Sequence, residues 1–272
     1  MWLRSALAHL LLWRLRLSRI AVVRTLHNVR PHNAVTRRQE RFLLKLDAVT
    51  DTFVHLNGCS PTSPGAIHAR IPHGDYREQF GSTEPADYRP GRFLVIGRIE
   101  PYKGVDRFLA TFARSGIAGE ECRVVGSAPE GLRTTLESQI SSWSRADVNV
   151  SARFEFVSDA EMADEITSAQ VIVLPYEEML NSGIALVALS LGRPILVPRN
   201  CANTELAHEA GPEWVIQYDG AFGEDALKAA RSASPQSPDS RPNLDGRDWR
   251  SVAERYAEVF RSARHVRKSS NV

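Results

Sequence analysis

The chain has 272 residues, of which 43% are hydrophobic and 24% charged, a composition that excludes a disordered chain and suits a folded protein. Its 34 lysines and arginines nearly balance 32 aspartates and glutamates, leaving a formal charge of +2, so no nucleic-acid partner is expected and any basic site must be local. Cys59, Cys122 and Cys201 are widely spaced and odd in number, with no CxxC pair and no histidines at zinc-ligand spacing, which reads as a reduced, cytoplasmic, metal-free protein.

The N-terminal stretch MWLRSALAHLLLWRLRLSRIAVV is apolar and basic. Arg14, Arg16 and Arg19 interrupt it, so the apolar run is too short to span a bilayer, and no small-residue cleavage site follows. The pattern predicts an amphipathic helix ending near Ser18, then a strand. Two readings of that helix stay open: it packs on the protein, or it lies on an anionic membrane surface as basic, Trp-bearing helices do. Residues 20–92 then supply a strand (IAVVRTLHN), a helix (VTRRQERFLLKLDA), a second strand (FVHLN) and the segment ARIPHGDY. That is too little for a complete doubly wound domain and reads as the second half of one.

From residue 93 onward, short apolar runs alternate with helical patterns. FLVIG (93–97), CRVVG (122–126), RFEFV (153–157), VIVLP (171–175), PILVP (194–198) and WVIQY (214–218) suit strands buried on both faces. Between them lie VDRFLATFARSG, PEGLRTTLESQISSW, DAEMADEITSA with a Ser158/Asp159 cap, SGIALVALSLG, TELAHEAG and EDALKAARSA, each with helical spacing. Repeated βα units of this length predict an α/β fold, a parallel sheet wound with helices on both faces. SPQSPDSRPN (234–243) reads as a solvated connection, and DWRSVAERYAEVFRSARHV as a final helix with Trp249, Val252, Tyr256 and Val259/Phe260 along one stripe.

The segment FLVIGRIEPYKG carries the most chemistry. A buried strand ends at Ile96, Gly97 permits a tight turn, Arg98 and Lys103 follow five residues apart, and Gly104 precedes a helix. Two cations at the carboxyl end of a parallel strand, beside a helix N-terminus with free N–H groups, suit a diphosphate. A solvated loop with two incidental charges is the competing reading. GR-x4-KG after a strand, with a Phe-Leu helix behind it, resembles the start of the C-terminal domain in GT-B glycosyltransferases of the large retaining family (family 4, group 1) that includes many mannosyl- and glucosyltransferases. The likeness runs on through FEFVSDAEMADEITSAQVIVLPY and NSGIALVALSLGRPILVP.

The resemblance implies a GT-B fold of two Rossmann-like domains, the N-terminal one incomplete. On that reading residues 1–90 are a partial acceptor-side domain, 91–233 the nucleotide-sugar-binding domain, 234–247 a linker, and 248–272 a crossover helix and tail. It implies that Arg98 and Lys103 grip the donor's diphosphate, with Gly97, Val157, Glu178, Asn181, Ser182 and Gly183 completing the donor site. One departure stands out. The two glutamates that the family carries around this helix fall near Met179 and Val187 here, and no acid occurs from Met179 to Asn203. Asn181, Ser182 and the N–H groups around Gly183 take their place in this reading, while either side chain could simply cap the helix.

In the N-terminal half, His27 ends a strand and matches the family's cleft histidine, the candidate catalytic residue. Asn28 and His73 join it as cleft or acceptor residues, with Gly74 serving a turn. A packed polar residue is the competing reading for each histidine. Gly126 stands alone rather than in a GxGxxG fingerprint, and Asp159, Glu161, Asp164 and Glu165 read as the solvated face of a short helix. The implied activity is transfer of a hexose, with mannose favoured, from a nucleotide-diphosphate sugar to a glycan or lipid-linked acceptor. No metal and no cofactor beyond that donor is expected, and the place is the cytoplasm, with the inner face of the membrane as the narrower alternative. The alternative is a non-catalytic sugar-nucleotide-binding or scaffold protein, suggested by the missing glutamates and the short N-terminal half.

Overall fold

The computed structural model describes residues 2–18, 20–27, 36–60, 62, 66–82, 84–143, 149–177, 179–233 and 240–269. Its contacts divide the chain into two compact units, one made of residues up to Gly74 together with those from Gly246, the other of Asp75–Asp245.

The first unit begins with α1 (Trp2–Leu17), β1 (Val23–Leu26), α2 (Arg37–Asp47), β2 (Thr52–His55) and β3 (Ile67–Arg70). The three strands form a parallel sheet in the order β1-β2-β3, with Val23 opposite Thr52 and Thr52 opposite Ile67. The helix α2 starts where its sequence says it should. Thr36 accepts a hydrogen bond from the Gln39 backbone N–H, and the Gln39 side chain accepts from the Thr36 N–H, a reciprocal capping box. On α1, Leu12 is buried, whereas Leu7, Leu10, Leu11, Trp13 and Leu17 are exposed. Among the described residues, no helix is long and apolar enough to cross a membrane.

The second unit carries α3 (Arg77–Phe80), β4 (Arg92–Ile96), a 3-10 turn (Pro101–Lys103), α4 (Val105–Ser115), β5 (Glu121–Val125), α5 (Glu130–Ser142), β6 (Asn149–Arg153), α6 (Asp159–Ser168), β7 (Val171–Val173), α7 (Gly183–Ser190), β8 (Ile195–Pro198), α8 (Cys201–Ala210), β9 (Val215–Tyr218) and α9 (Glu224–Ser232). Its six strands are all parallel in the order β6-β5-β4-β7-β8-β9. The apolar runs are explained by burial on both faces. Along β4, Phe93 and Val95 pack with Phe108, Phe112 and Leu227, while Leu94 and Ile96 face the other way into the cluster of Ile166, Ala188 and Leu189.

The chain closes with α10 (Trp249–Ser269), which returns to the first unit. Val252 joins Val54 and Ile71 in that unit's core, with Tyr256 and Val259 packed against them, a stripe at helical spacing. The Tyr256 hydroxyl shares a 3.0 Å hydrogen bond with Thr25 of β1.

Two expectations are corrected. The strand expected at 153–157 lies at Asn149–Arg153 instead, with Phe154 buried and Phe156 84% exposed. β6 is an edge strand of the described sheet, so it needs no continuous apolar run, and its polar sequence NVSAR hid it. Glu165 is not part of a solvated face. It accepts from the Arg92 guanidinium at 2.6 Å and from Arg123 at 2.7 Å, with Arg92 buried and its pKa held below the usual arginine value by that burial. Residues ahead of β4 also belong to this unit by contact: Phe80 enters its core, and the backbone N–H groups of Ala86 and Arg89 donate to Thr167 Oγ1 and to the Ser168 carbonyl.

Candidate functional site

The order of the second unit's strands reverses direction between β4 and β7, and in such sheets the crevice outside the carboxyl ends at that reversal is where ligands bind. The chain leaves β4 at Gly97, whose φ of +101° is open to glycine but strained for other residues. Gly126, at the matching end of β5, comes so close that a Cβ there would lie 2.0 Å from the Gly97 carbonyl oxygen. This settles the role of Gly126 as close packing of two strand ends. A Cβ on Gly97 would itself meet the Ile184 side chain at 3.1 Å, which brings the start of α7 against the end of β4.

The 3-10 turn then carries Lys103 inward. Gly104 ends it in the left-handed conformation (φ +62°), where a Cβ would lie 2.4 Å from the Pro175 carbonyl oxygen. The Glu177 N–H donates to the Tyr102 carbonyl at 3.1 Å, so the turn after β4 is locked to the segment after β7. Lys103 is only 9% exposed, and among the described residues nothing accepts a hydrogen bond from its ammonium. The group faces the Tyr176 ring at 5.1 Å from the centroid. Burial pushes its pKa down to about 8, with Glu100 opposing and Arg98 adding to the fall. Arg98 is by contrast exposed, and its Nε pairs with Glu100 at 2.6 Å.

Lys103 lines an open hollow of about 400 Å³ together with Tyr76, Tyr102, Tyr176, Asn181, Ser182, Gly183 and Ile184, with Asp159 of α6 at its wall. Ser182 caps α7, its hydroxyl accepting from the Ala185 N–H at 3.3 Å. Tyr176 is buried, which raises its pKa strongly, so the phenol stays neutral. An ammonium, a capped helix N-terminus with free N–H groups, and neutral hydroxyls share one concavity that suits an oxyanion.

The sequence-predicted residues fall out as follows. Lys103, Asn181, Ser182 and Gly183 share the hollow. Gly97 shapes the strand end behind it, and Arg98 lies outside its lining. Val157 is buried in the core with Val125 and Ile166 and is not among the lining residues. Glu178 and Asn28 lie outside the described residues. In the first unit, exposed His27 follows β1, and its ring sits edge-on to that of His73 at 6.5 Å between centroids. His73 in turn meets Trp249 at 5.8 Å, and the Trp249 ring packs so tightly on Gly74 that a Cβ there would lie 2.6 Å from it.

Sequence reasoning passed over Tyr76, Tyr102 and Tyr176. It also passed over the buried His55, whose Nε2 lies 2.8 Å from His68 Nδ1 on the neighbouring strand.

The family profile described as "Glycosyl transferases group 1" matches residues 90–230. A curated relative from Xanthomonas campestris pv. campestris, "GDP-mannose:glycolipid 4-beta-D-mannosyltransferase", is 35% identical over 264 residues, which cover 96% of this chain and 74% of the relative. The chain belongs to the group 1 glycosyltransferases. Membership makes it a hexosyltransferase, and the fold is of the GT-B type. Solved structures bear out that fold. Anabaena HepE in complex with UDP and glucose superposes with a TM-score of 0.65 at 15% identity, covering 95% of this chain and 76% of that one. Sucrose-phosphate synthase from Thermosynechococcus elongatus gives 0.60 at 19% identity, covering 88% and 67%.

Proposed function

We propose that this glycosyltransferase moves mannose from GDP-mannose to a hydroxyl of a lipid-linked glycan. One observation carries the donor half: Lys103 is only 9% exposed, its ammonium has no hydrogen-bond acceptor among the described residues, and it lines the same hollow as the N-terminus of α7. A largely desolvated cation with only the Glu100 charge to offset its burial is stabilised by an anion that completes the site, and a diphosphate supplies one. The identity of sugar and acceptor follows the mannosyltransferase relative.

In this reading the diphosphate sits between Lys103 and the α7 N-terminus, with Asn181, Ser182 and the Gly183 N–H as donors. Arg98 turns from Glu100 to the phosphate as the donor arrives. The reaction separates a sugar from a leaving nucleoside diphosphate, so negative charge grows on the bridging oxygen as the bond breaks. Lys103 and the helix N-terminus are fixed where that charge develops, and such preorganised groups lower the barrier electrostatically. His27 and His73 are proposed to contact the acceptor, and action beside a membrane fits a lipid-linked acceptor. No step in this scheme calls on a metal.

The test is calorimetric titration of GDP, UDP and ADP and their sugars into wild type, Lys103→Ala and Arg98→Ala, with transfer to a glycolipid acceptor assayed in parallel. Removing the buried cation should weaken the preferred nucleotide about 30-fold or more, the worth of a charge-assisted contact. The exposed Arg98 should matter less, about tenfold or below. Unchanged affinity in both variants overturns the donor site. Binding without any turnover favours the non-catalytic alternative.

A further inference from the structure

Three connections between strand and helix in the second unit converge on the hollow, and one of them brings a negative charge. Asp159, in the first turn of α6 behind β6, lines it together with Lys103 from the turn after β4 and with Ser182 and Gly183 at the start of α7. A carboxylate repels a diphosphate, so a site for that anion alone has no use for it. α6 does not need it as a cap either. Ser158 and Glu161 form a reciprocal capping box there, and Glu161 also accepts from Arg153 at 2.8 Å.

Asp159 is held from one side. Its Oδ2 accepts from Gln79 Nε2 of α3 at 2.8 Å, and Gln79 lines the same hollow. Among the described residues, Oδ1 accepts no hydrogen bond and the carboxylate makes no ion pair. A carboxylate has about four lone-pair sites and a primary amide carries a second N–H. After their mutual bond the pair therefore still offers, side by side, two acceptor oxygens and one donor.

Among the common nucleobases that row has one complement. The Watson–Crick edge of guanine presents O6 as an acceptor, then N1–H and the N2 amino group as adjacent donors. Adenine and cytosine place an acceptor next to their amino group, and uracil sets one N–H between two carbonyls, so each of them turns an acceptor toward a carboxylate oxygen. Tyr76, Phe80 and Tyr102 add aromatic side chains to the lining, suited to the flat face of a base.

We propose that Asp159, positioned by Gln79, selects a guanine nucleotide: its oxygens accept from N1–H and the N2 amino group, and the second Gln79 amide N–H donates to O6. This deepens the donor reading above and rests on it. The diphosphate lies at Lys103 and α7, and the negative wall faces the uncharged, donor-bearing base.

The test is calorimetric titration of the full chain with GDP, UDP and the inosine and xanthosine diphosphates, in wild type, Asp159→Asn, Gln79→Ala and Lys103→Ala. Inosine lacks the N2 amino group, and xanthosine has a carbonyl in its place. Wild type should bind GDP tightest, with the inosine nucleotide roughly tenfold weaker, the size of one hydrogen bond to a charged group. Asp159→Asn should weaken GDP roughly 30-fold and bind the xanthosine nucleotide more tightly than GDP, because the asparagine carbonyl and amide match xanthine's N1–H donor and O2 acceptor. A poorly folded variant cannot reverse a preference in this way. Gln79→Ala should weaken GDP and the inosine nucleotide equally, since both carry O6.

The inference is overturned by an Asp159→Asn protein whose GDP affinity is unchanged, or one that loses GDP, inosine and UDP affinity by a common factor, as a carboxylate on the ribose or the sugar would. A wild type that binds UDP as tightly as GDP overturns it too. In those cases a loss of every nucleotide in Lys103→Ala keeps the donor site standing. If wild type binds no nucleotide, the donor reading fails and base selection falls with it.

Discussion

Gly104→Ala is the sharpest single perturbation of the site. A Cβ at this position has two separate penalties. The left-handed backbone, φ +62°, costs an L-residue about 1–2 kcal/mol. The added carbon would also stand 2.4 Å from the Pro175 carbonyl oxygen, so one backbone segment has to shift by nearly an ångström, which adds about 1–2 kcal/mol more. The total is about 3 kcal/mol, which for a protein of this size lowers the melting temperature by roughly 6–12 °C.

Two other glycines of the second unit separate the contributions. Gly119 has φ +89° and nothing within 4 Å of where a Cβ would stand, and Gly131 in α5 has open space and an ordinary φ. Gly119→Ala should therefore show the backbone penalty alone. Gly131→Ala should raise stability by about 0.4–1 kcal/mol. The assay is scanning calorimetry of the three variants, with nucleotide titration of Gly104→Ala, whose affinity should fall because the shift separates Lys103 from α7. A Gly104→Ala protein that melts no lower than Gly119→Ala refutes the clash.

Nucleotide affinity should hold below pH 8 and fall above it, because Lys103 releases its proton near there in the free protein. A phosphate that binds the cation extends the fall to higher pH. Stability runs the other way: between about pH 8 and 10.5 the unfolded chain holds the proton that the folded one has lost, so unfolding free energy should rise with pH over that window. Glu165→Gln should destabilise the second unit by about 3 kcal/mol, since it leaves the buried Arg92 guanidinium with a weaker partner, Glu121 at 3.4 Å. Equilibrium denaturation measures this, and a loss within error of zero contradicts it. His55 has its pKa lowered by burial and then by His68, so the stability it contributes is present above its unfolded pKa of about 6.5 and is lost as pH falls through the lower folded value. Acidification should accordingly cost wild type more than His55→Phe, read from denaturation midpoints on either side of that range.

The second unit was legible in the sequence wherever a strand is buried on both faces. Phe93 to Ile96 and Val171 to Val173 announce themselves by apolarity alone. β6 did not, because an edge strand is shielded on fewer sides and the conspicuous FEF run lies just past it. The four-residue α3 is too short for any periodicity to show. Gly97, Lys103 and Ser182 could be found because their roles are local: a turn, a cation before a helix, a cap. Tyr176 could not, since its value comes from facing a residue 73 positions earlier across the sheet. His55 and His68 meet only through the parallel register of β2 and β3, which no spacing rule encodes. Glu165 misled for a related reason, as its two arginines lie on β4 and β5.

β4 joins two tasks at its opposite ends. Arg92 opens it inside the ion cluster with Glu165, and Gly97 and Arg98 close it beside the hollow. At about 3.3 Å per residue Arg92 and Gly97 are separated by roughly 16 Å, beyond the range over which substitutions usually interact. On the donor-site reading, an engineer who wants a hardier enzyme can therefore rework the arginine end for stability and the glycine end for nucleotide preference, and combine the gains by simple addition.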